Sequence, residues 1–241
     1  MKYVMVIDHQ RCVGCGACII ACKNENNLTE GISWSYKITE TVGTFPNVRF
    51  HYTPTLCNHC EHAPCVRGCP TQAMHKAEGG ITMHDPDKCI GCRYCIANCP
   101  YGVISYNWER PHQQWIQKKE LIKDCTSSGA DQASAYGTAR RPPYENPERG
   151  TTLPAERPMG VVEKCTFCDH RLIRGLLPYC VEACPADARI FGDLDEPKSE
   201  VSKLLGKYRP YRLKEHLGTE PKIYYIRSFN PGTYQKTKGG L

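Results

Sequence analysis

No stretch of this 241-residue chain approaches the roughly 18 consecutive apolar residues of a membrane-crossing helix, so no direct membrane span is expected. No export signal of its own is expected either. Residues 1–8 carry one Lys and a short β-like run, Tyr3-Val4-Met5-Val6-Ile7, which reads as the start of the fold. No residue has the setting of an acid-base catalyst, and none is assigned a catalytic role. Regular periodicity is scarce between residues 23 and 55 and between 107 and 159.

What the chain has is cysteine. Sixteen of its seventeen cysteines fall into four short tetrads. Cys12, Cys15, Cys18 and Cys22 read C-x2-C-x2-C-x3-C, and Cys89, Cys92, Cys95 and Cys99 repeat that spacing with Pro100 directly after. Cys57, Cys60, Cys65 and Cys69, followed by Pro70, widen the middle gap. Cys165, Cys168, Cys180 and Cys184, followed by Pro185, widen it further. In C-x2-C-x2-C the chain wraps one iron-sulfur cubane closely, and the small residues Gly14, Gly16, Ala17 and Gly91 suit that tight loop. The third and fourth cysteines of each tetrad stand four apart, so one helical turn reaches two clusters. This is the bacterial ferredoxin arrangement, in which the fourth cysteine ligates the other cluster of a pair. Four [4Fe-4S] clusters are expected.

Other cysteine chemistries fit less well. Cys165, Cys168, Cys180 and Cys184 taken alone leave structural zinc open, but two tetrads with full ferredoxin spacing argue against it. A disulfide framework belongs to short secreted chains, and this one has 241 residues. The formal charge of +6 points toward nucleic acid only while every cysteine is counted as neutral. Sixteen thiolates contribute about −16 and four oxidised cubane cores about +8, so the loaded protein sits near −2 and no nucleic-acid partner is expected.

An internal repeat organises the chain. Asp8 precedes Cys12 by four residues as Asp85 precedes Cys89, each after a β-rich stretch, residues 3–7 and 80–84. Ala73-Met74, Val103-Ile104 and Arg189-Ile190-Phe191 are strand candidates after the proline-terminated tetrads, and Gly79-Gly80 reads as a hairpin turn. The expected fold is α+β: two bacterial-ferredoxin-like 2[4Fe-4S] units related by pseudo-symmetry, with long loop insertions. Residues 56–106 form the central unit. Residues 1–55 and 160–192 form a split unit around it, with an insertion at 23–55. An insertion loop spans 107–159 and a C-terminal extension spans 193–241. The exchange rule then groups Cys12, Cys15 and Cys18 with Cys184, and Cys165, Cys168 and Cys180 with Cys22. In the central unit it groups Cys57, Cys60 and Cys65 with Cys99, and Cys89, Cys92 and Cys95 with Cys69.

Both insertions are rich in Gly, Pro, Ser, Thr and charge and read as irregular. As surface loops they cover the clusters; as an interface they contact a larger partner, with Trp34, Tyr36, Trp108 and Trp115 as anchors. In the extension, residues 196–208 read as an amphipathic helix and 223–226 as a strand. His59 and His62 lie inside the second tetrad, yet four thiolates already serve each cluster, so packing or sulfur hydrogen bonding is expected of them. Cys125 reads as an unligated thiol.

The tetrads, joined to Thr55-Leu56-Cys57-Asn58-His59-Cys60, Asp87-Lys88-Cys89-Ile90-Gly91-Cys92, Cys99-Pro100-Tyr101-Gly102 and Lys164-Cys165-Thr166-Phe167-Cys168, resemble the four-cluster iron-sulfur subunit of dimethyl-sulfoxide-reductase-family molybdopterin oxidoreductases. Residues 38–48 and 107–112 look most like the small subunit of respiratory arsenate reductase. Arsenite oxidase, catechol dehydroxylase or transhydroxylase, and polysulfide or thiosulfate reductase relatives share the scaffold. The resemblance implies a non-catalytic electron-transfer subunit linking a membrane quinol-linked subunit or cytochrome to a large molybdopterin (molybdenum or tungsten) catalytic subunit. It also implies a periplasmic location by co-export with that subunit, the alternative being cytoplasmic. A free-standing polyferredoxin is the competing class. Lys23 departs from the pattern, standing where a proline follows the other three fourth cysteines. Arg67, Lys88, Arg93 and Lys164 beside ligands are expected to raise local potentials, whereas Val13, Ala17 and Ile19 flank the first tetrad.

Overall fold

A computed structural model describes residues 1–113, 117–120, 122–137 and 145–228. The chain mixes short helices with short strands, as α+β requires. Strand β1 (Tyr3–Asp8) lies in the middle of a three-stranded sheet. Its sequence is apolar at successive positions because both faces are covered: Val4, Met5, Val6 and Ile7 are all fully buried. Val4 and Val6 pack with Val201 and Ile226 on one side. Met5 and Ile7 face the main core with Trp34, Leu56, Phe167 and Tyr225.

The four tetrads sit on loops that run into short helices. Helix α1 (Ala17–Glu25) carries Cys18 and Cys22 and continues past Lys23, which no proline interrupts. The Lys23 ammonium donates to the carbonyls of Thr29 at 3.0 Å and Ile32 at 2.5 Å, so the departure from the proline pattern reshapes the turn after the helix. After it come two strands where an irregular insertion was expected. Strands β2 (Ser35–Val42) and β3 (Arg49–Leu56) pair antiparallel over their whole length, from Ser35↔Leu56 to Val42↔Arg49. Their outer halves are solvent-exposed, so the polar side chains that hide the strand pattern are on a wet surface, while Thr, Val, Ile and Tyr supply the β preference.

Helix α2 (Pro64–Arg67), the hairpin of β4 (Met74–Lys76) with β5 (Thr82–His84), and helix α3 (Tyr94–Asn98) build the middle of the chain. Gly79 and Gly80 turn that hairpin, as expected, at φ 66° and 69°. Strand β6 (Ser105–Tyr106) begins just beyond the Val103-Ile104 candidate and pairs with β7 (Val162–Glu163). Val103 itself is fully buried in the main core, which claims its side chain without needing ladder bonds. The insertion between β6 and β7 holds helix α4 (Gly129–Ala135), capped by Ser128, and a 3-10 turn at Pro147–Thr151.

Helices α5 (Asp169–Leu172) and α6 (Tyr179–Glu182) follow, then β8 (Arg189–Asp193), antiparallel to β1. Helix α1 packs on α6, and α2 packs on α3. Helix α7 (Glu200–Lys207) starts later than the expected residue 196 because Ser199 caps it, its hydroxyl accepting from the Ser202 N–H at 3.2 Å. Strand β9 (Ile223–Ile226) has the expected bounds and lies parallel to β1. The backbone ahead of it is pinned to the second tetrad, with Glu61 N–H donating to Glu220 at 2.9 Å and Lys222 N–H to Asn58 at 2.8 Å.

Candidate metal centres

The thiols gather into four groups, each combining cysteines distant in sequence. Cys12, Cys15, Cys18 and Cys184 line one cavity with about 430 Å³ of space between side chains, part of it open to solvent. Cys57, Cys60, Cys65 and Cys99 line another of about 320 Å³. Cys22 lies within electrostatic reach of Cys165, Cys168 and Cys180, and Cys95 within reach of Cys69, Cys89 and Cys92. Among the described residues the His, Cys, Asp and Glu side chains do not converge, three or more together, on a point where a single metal ion would sit. The sulfurs instead stand round a space, as a ligand with its own volume requires.

The groups differ in exposure. Cys15 and Cys92 are exposed, whereas Cys22, Cys165, Cys168 and Cys180 are buried, as are Cys57, Cys60 and Cys65. Cys180 feels Cys18, and Cys165 feels Cys57, so the group around Cys22 adjoins both the Cys12 group and the Cys57 group.

One backbone device repeats in all four. The third residue of each C-x2-C is left-handed: Gly14 at φ 69°, His59 at 43°, Gly91 at 69° and Phe167 at 56°. Glycine is demanded at Gly91, where a Cβ would meet the Gly160 carbonyl oxygen at 2.3 Å. His59 and Phe167 accept the strain for packing, since their rings stack with centroids 3.7 Å apart. That stack stands between the Cys57 and Cys165 loops.

The donor set suits iron-sulfur clusters. Burial pushes the Cys60 and Cys95 thiols up to about 11, and Cys65 and Cys168 up to about 12, with neighbouring thiols adding to it. Such groups ionise together only around a cation. Hydrogen-bond donors already point at sulfur: Phe167 N–H at Cys165 (3.4 Å), Ala188 N–H at Cys184 (3.3 Å), and Asn26 Nδ2 at Cys22 (3.6 Å) and Cys168 (3.8 Å). At Cys69 burial is outweighed by such bonds from Met74 and Thr71, and its thiol is held low. Further buried donors have no hydrogen bond among the described residues, His59 Nε2 and Arg149 Nε and Nη2 among them. Thr82 N–H donates to His59 Nδ1 at 3.1 Å, which leaves the ring proton on Nε2, beside the Cys57 group. Sulfides of a bound cluster are acceptors of the kind these donors need.

Several expectations change. Trp34 is no docking anchor: it is 1% exposed, with the Arg157 guanidinium 5.2 Å from its ring centroid. Tyr36 is half-buried, Trp108 is 67% exposed under the Arg93 guanidinium, and Trp115 lies outside the described residues. The first tetrad is not without charge, because buried Arg189 stands against Cys18 and Cys180. His62 is exposed beside Glu220, and Cys125 is exposed. Arg189, Arg149 and Lys76 carry no local signal in the sequence, since folding brings them to the thiols from outside the tetrads. Burial, with Lys222 close by, pulls Lys76 down to about 8.

Comparison with known proteins agrees with this chemistry. The 4Fe-4S dicluster domain model matches residues 48–134 and 143–194, and the 4Fe-4S binding domain model matches residues 5–25. The chain is 53% identical over 97% of its length to the arsenate respiratory reductase iron-sulfur subunit ArrB of Shewanella sp. (strain ANA-3), covering 99% of that protein. It is 41% identical over 98% of its length to a putative dimethyl sulfoxide reductase iron-sulfur subunit of Halobacterium salinarum, covering 84% of it. A selenate reductase subunit of Mesobacillus selenatarsenatis is 41% identical over 94% of this chain, with 72% of that protein covered. The chain therefore belongs to the 4Fe-4S dicluster family, as an iron-sulfur electron-transfer subunit of the kind found in molybdoenzyme complexes.

Proposed function

We propose that the chain holds four [4Fe-4S] clusters in a row and serves a molybdopterin catalytic subunit, most specifically that of a respiratory arsenate reductase. The observation that carries this is the fourfold grouping of thiols from distant parts of the chain, two groups largely buried and two each with an exposed thiol. The ligands would be Cys12, Cys15, Cys18 and Cys184; then Cys22, Cys165, Cys168 and Cys180; then Cys57, Cys60, Cys65 and Cys99; then Cys69, Cys89, Cys92 and Cys95. Each cluster, when bound, supplies a one-electron couple. The chain's own part is to bury the inner pair, hold hydrogen-bond donors toward sulfur and leave each end accessible. The likeness between the β1–β8 pairing with α1 on α6 and the β4–β5 pairing with α2 on α3 supports two related ferredoxin-like units, the first split around the second.

Redox partners follow from the same reading: a quinol-linked membrane subunit or a cytochrome at one exposed end and the catalytic subunit at the other. Export to the periplasm would be alongside that catalytic subunit. The arsenate assignment rests on the likeness to the Shewanella protein over nearly the whole chain. Anaerobic purification of the native complex tests all of it. About sixteen irons per chain by the four-cubane count, four one-electron couples and a co-purifying molybdopterin protein that reduces arsenate are expected. Zinc in place of iron, or a chain that migrates alone as a polyferredoxin would, refutes it.

A further inference from the structure

Three lysines converge on the hairpin turn between β4 and β5. Lys76 donates to the Gly80 carbonyl at 2.8 Å, to Thr82 Oγ1 at 3.3 Å and to the Cys60 carbonyl at 2.8 Å. Lys222 donates to the same Gly80 carbonyl at 2.8 Å. Lys164 donates to the Thr82 and Cys165 carbonyls. Two ammonium groups on one carbonyl oxygen cannot stand further apart than the two bonds laid end to end. Lys164 and Lys222 are almost wholly buried, and Lys76 is half-buried.

Buried like charges repel and are costly without an anion. The carboxylate in contact with them is Glu61, 3.0 Å from the Lys222 ammonium. The next acids do not share the load, since Asp85 pairs with Lys88 and Glu163 with Arg157. Three ammoniums against Glu61 leave the inner side of the turn about two positive charges in excess, the carboxylate of Glu78 on the turn itself being exposed to solvent. The thiols of Cys57, Cys60, Cys65 and Cys99 line the cavity on the other side of Thr82 and His59. Four thiolates around an oxidised cubane core of charge about +2 leave about two negative charges, and reduction adds a third.

We propose that Lys76, Lys164 and Lys222 form a built-in counter-charge for the cluster held by Cys57, Cys60, Cys65 and Cys99, raising its reduction potential selectively. This rests on the ligand groups proposed above. The lysines are positioning residues: none touches an expected ligand sulfur, and two bond the backbone of ligands Cys60 and Cys165. The C-terminal extension thus takes part in setting a potential near the middle of the row through Lys222, which lies beside its parallel strand.

The test is a redox titration, followed by electron paramagnetic resonance, of the native complex carrying Lys222→Met, Lys76→Met or Lys222→Arg. The affected couple is recognised as the one altered by Cys60→Ser. Each methionine variant is expected to make that couple's reduction at least tenfold less favourable, about 59 mV for one electron, with the other three unmoved. Lys222→Arg, which keeps the charge, is expected to hold the wild-type value. Loss of iron from the methionine variants but not from Lys222→Arg equally supports a counter-charge. Unmoved couples at full iron content, a uniform shift of all four, or iron loss from Lys222→Arg as well would overturn it. A wild-type complex without four couples would refute the ligand assignment and the counter-charge together.

Discussion

Gly91→Ala and Gly16→Ala separate two demands that a cluster loop makes on glycine. Both residues are left-handed, Gly91 at φ 69° and Gly16 at 83°. An alanine in that region costs about 1–2 kcal/mol. At Gly16 nothing lies within 4 Å of an added Cβ, so the backbone cost is the whole cost. Arg93, which occupies the equivalent position of the third tetrad at φ 61°, shows that a side chain is tolerated there. At Gly91 the added carbon meets the Gly160 carbonyl at 2.3 Å and the Tyr106 hydroxyl at 3.2 Å, and backbone must move. Overpacking of that kind adds about 1–3 kcal/mol. The difference between the variants, about 1–3 kcal/mol, corresponds to roughly five- to 150-fold in the population of opened loop. Anaerobic bleaching of the iron-sulfur chromophore by a ferrous chelator reads that population, and the paramagnetic signals report which cluster goes first. Gly91→Ala is expected to bleach much faster and to lose one signal before the others. Equal rates for the two variants would refute the argument that contact with Gly160 is what excludes a side chain.

Arg189→Met removes a buried cation beside Cys18 and Cys180, so the couples of the two neighbouring clusters should fall while the other two hold; a potentiometric titration that finds all four couples at one value, in wild type or variant, contradicts this. Phe167→Ala removes a buried ring stacked on His59 and should cost about 3–5 kcal/mol, seen as faster thermal loss of chromophore. Trp108→Ala, at an exposed site, should change stability by less than about 0.5 kcal/mol yet slow electron delivery across the subunit interface, measured by stopped-flow with the intact complex. Burial alone would raise the Glu25 carboxyl, but the hydrogen bond from His170, 2.8 Å away, and the charge of Arg171 hold it below its ordinary value. A depressed carboxylate stabilises the fold above its unfolded value near 4.5, and that contribution is lost as pH falls through the folded value. Glu25→Gln should therefore flatten the acid limb of a thermal-stability profile below about pH 4.5 and leave the neutral limb parallel.

The iron-sulfur character was legible because thiolate chemistry leaves its mark in spacing, and the helical turn that separates Cys95 from Cys99 is a local geometric fact. Strand β9 was legible too, since Ile223-Tyr224-Tyr225-Ile226 has no reading but a strand. The β2–β3 hairpin was not, because its outer half is wet and the apolar alternation that marks a half-buried strand is missing there. Trp34 illustrates a different limit. A tryptophan in a polar segment looks like a surface anchor until the fold turns it inward onto Arg157, more than a hundred residues away. Arg189 and Lys76 were invisible as charges beside the thiols for the same reason, since each lies outside the tetrads.

The closing of the sheet around β1 bears on how the protein is made. The first tetrad leaves the ribosome early, but on the proposed exchange its cluster waits for Cys184, which emerges 172 residues after Cys12. At roughly 5–20 residues per second, Cys12, Cys15 and Cys18 remain nascent, oxidisable thiols for on the order of ten to thirty seconds. On the same proposal the central groups have all their thiols by Cys99 and suffer no such delay. Maturation should therefore run from the inside of the chain outward, and the N-terminal thiols are where oxygen would do its first damage during synthesis.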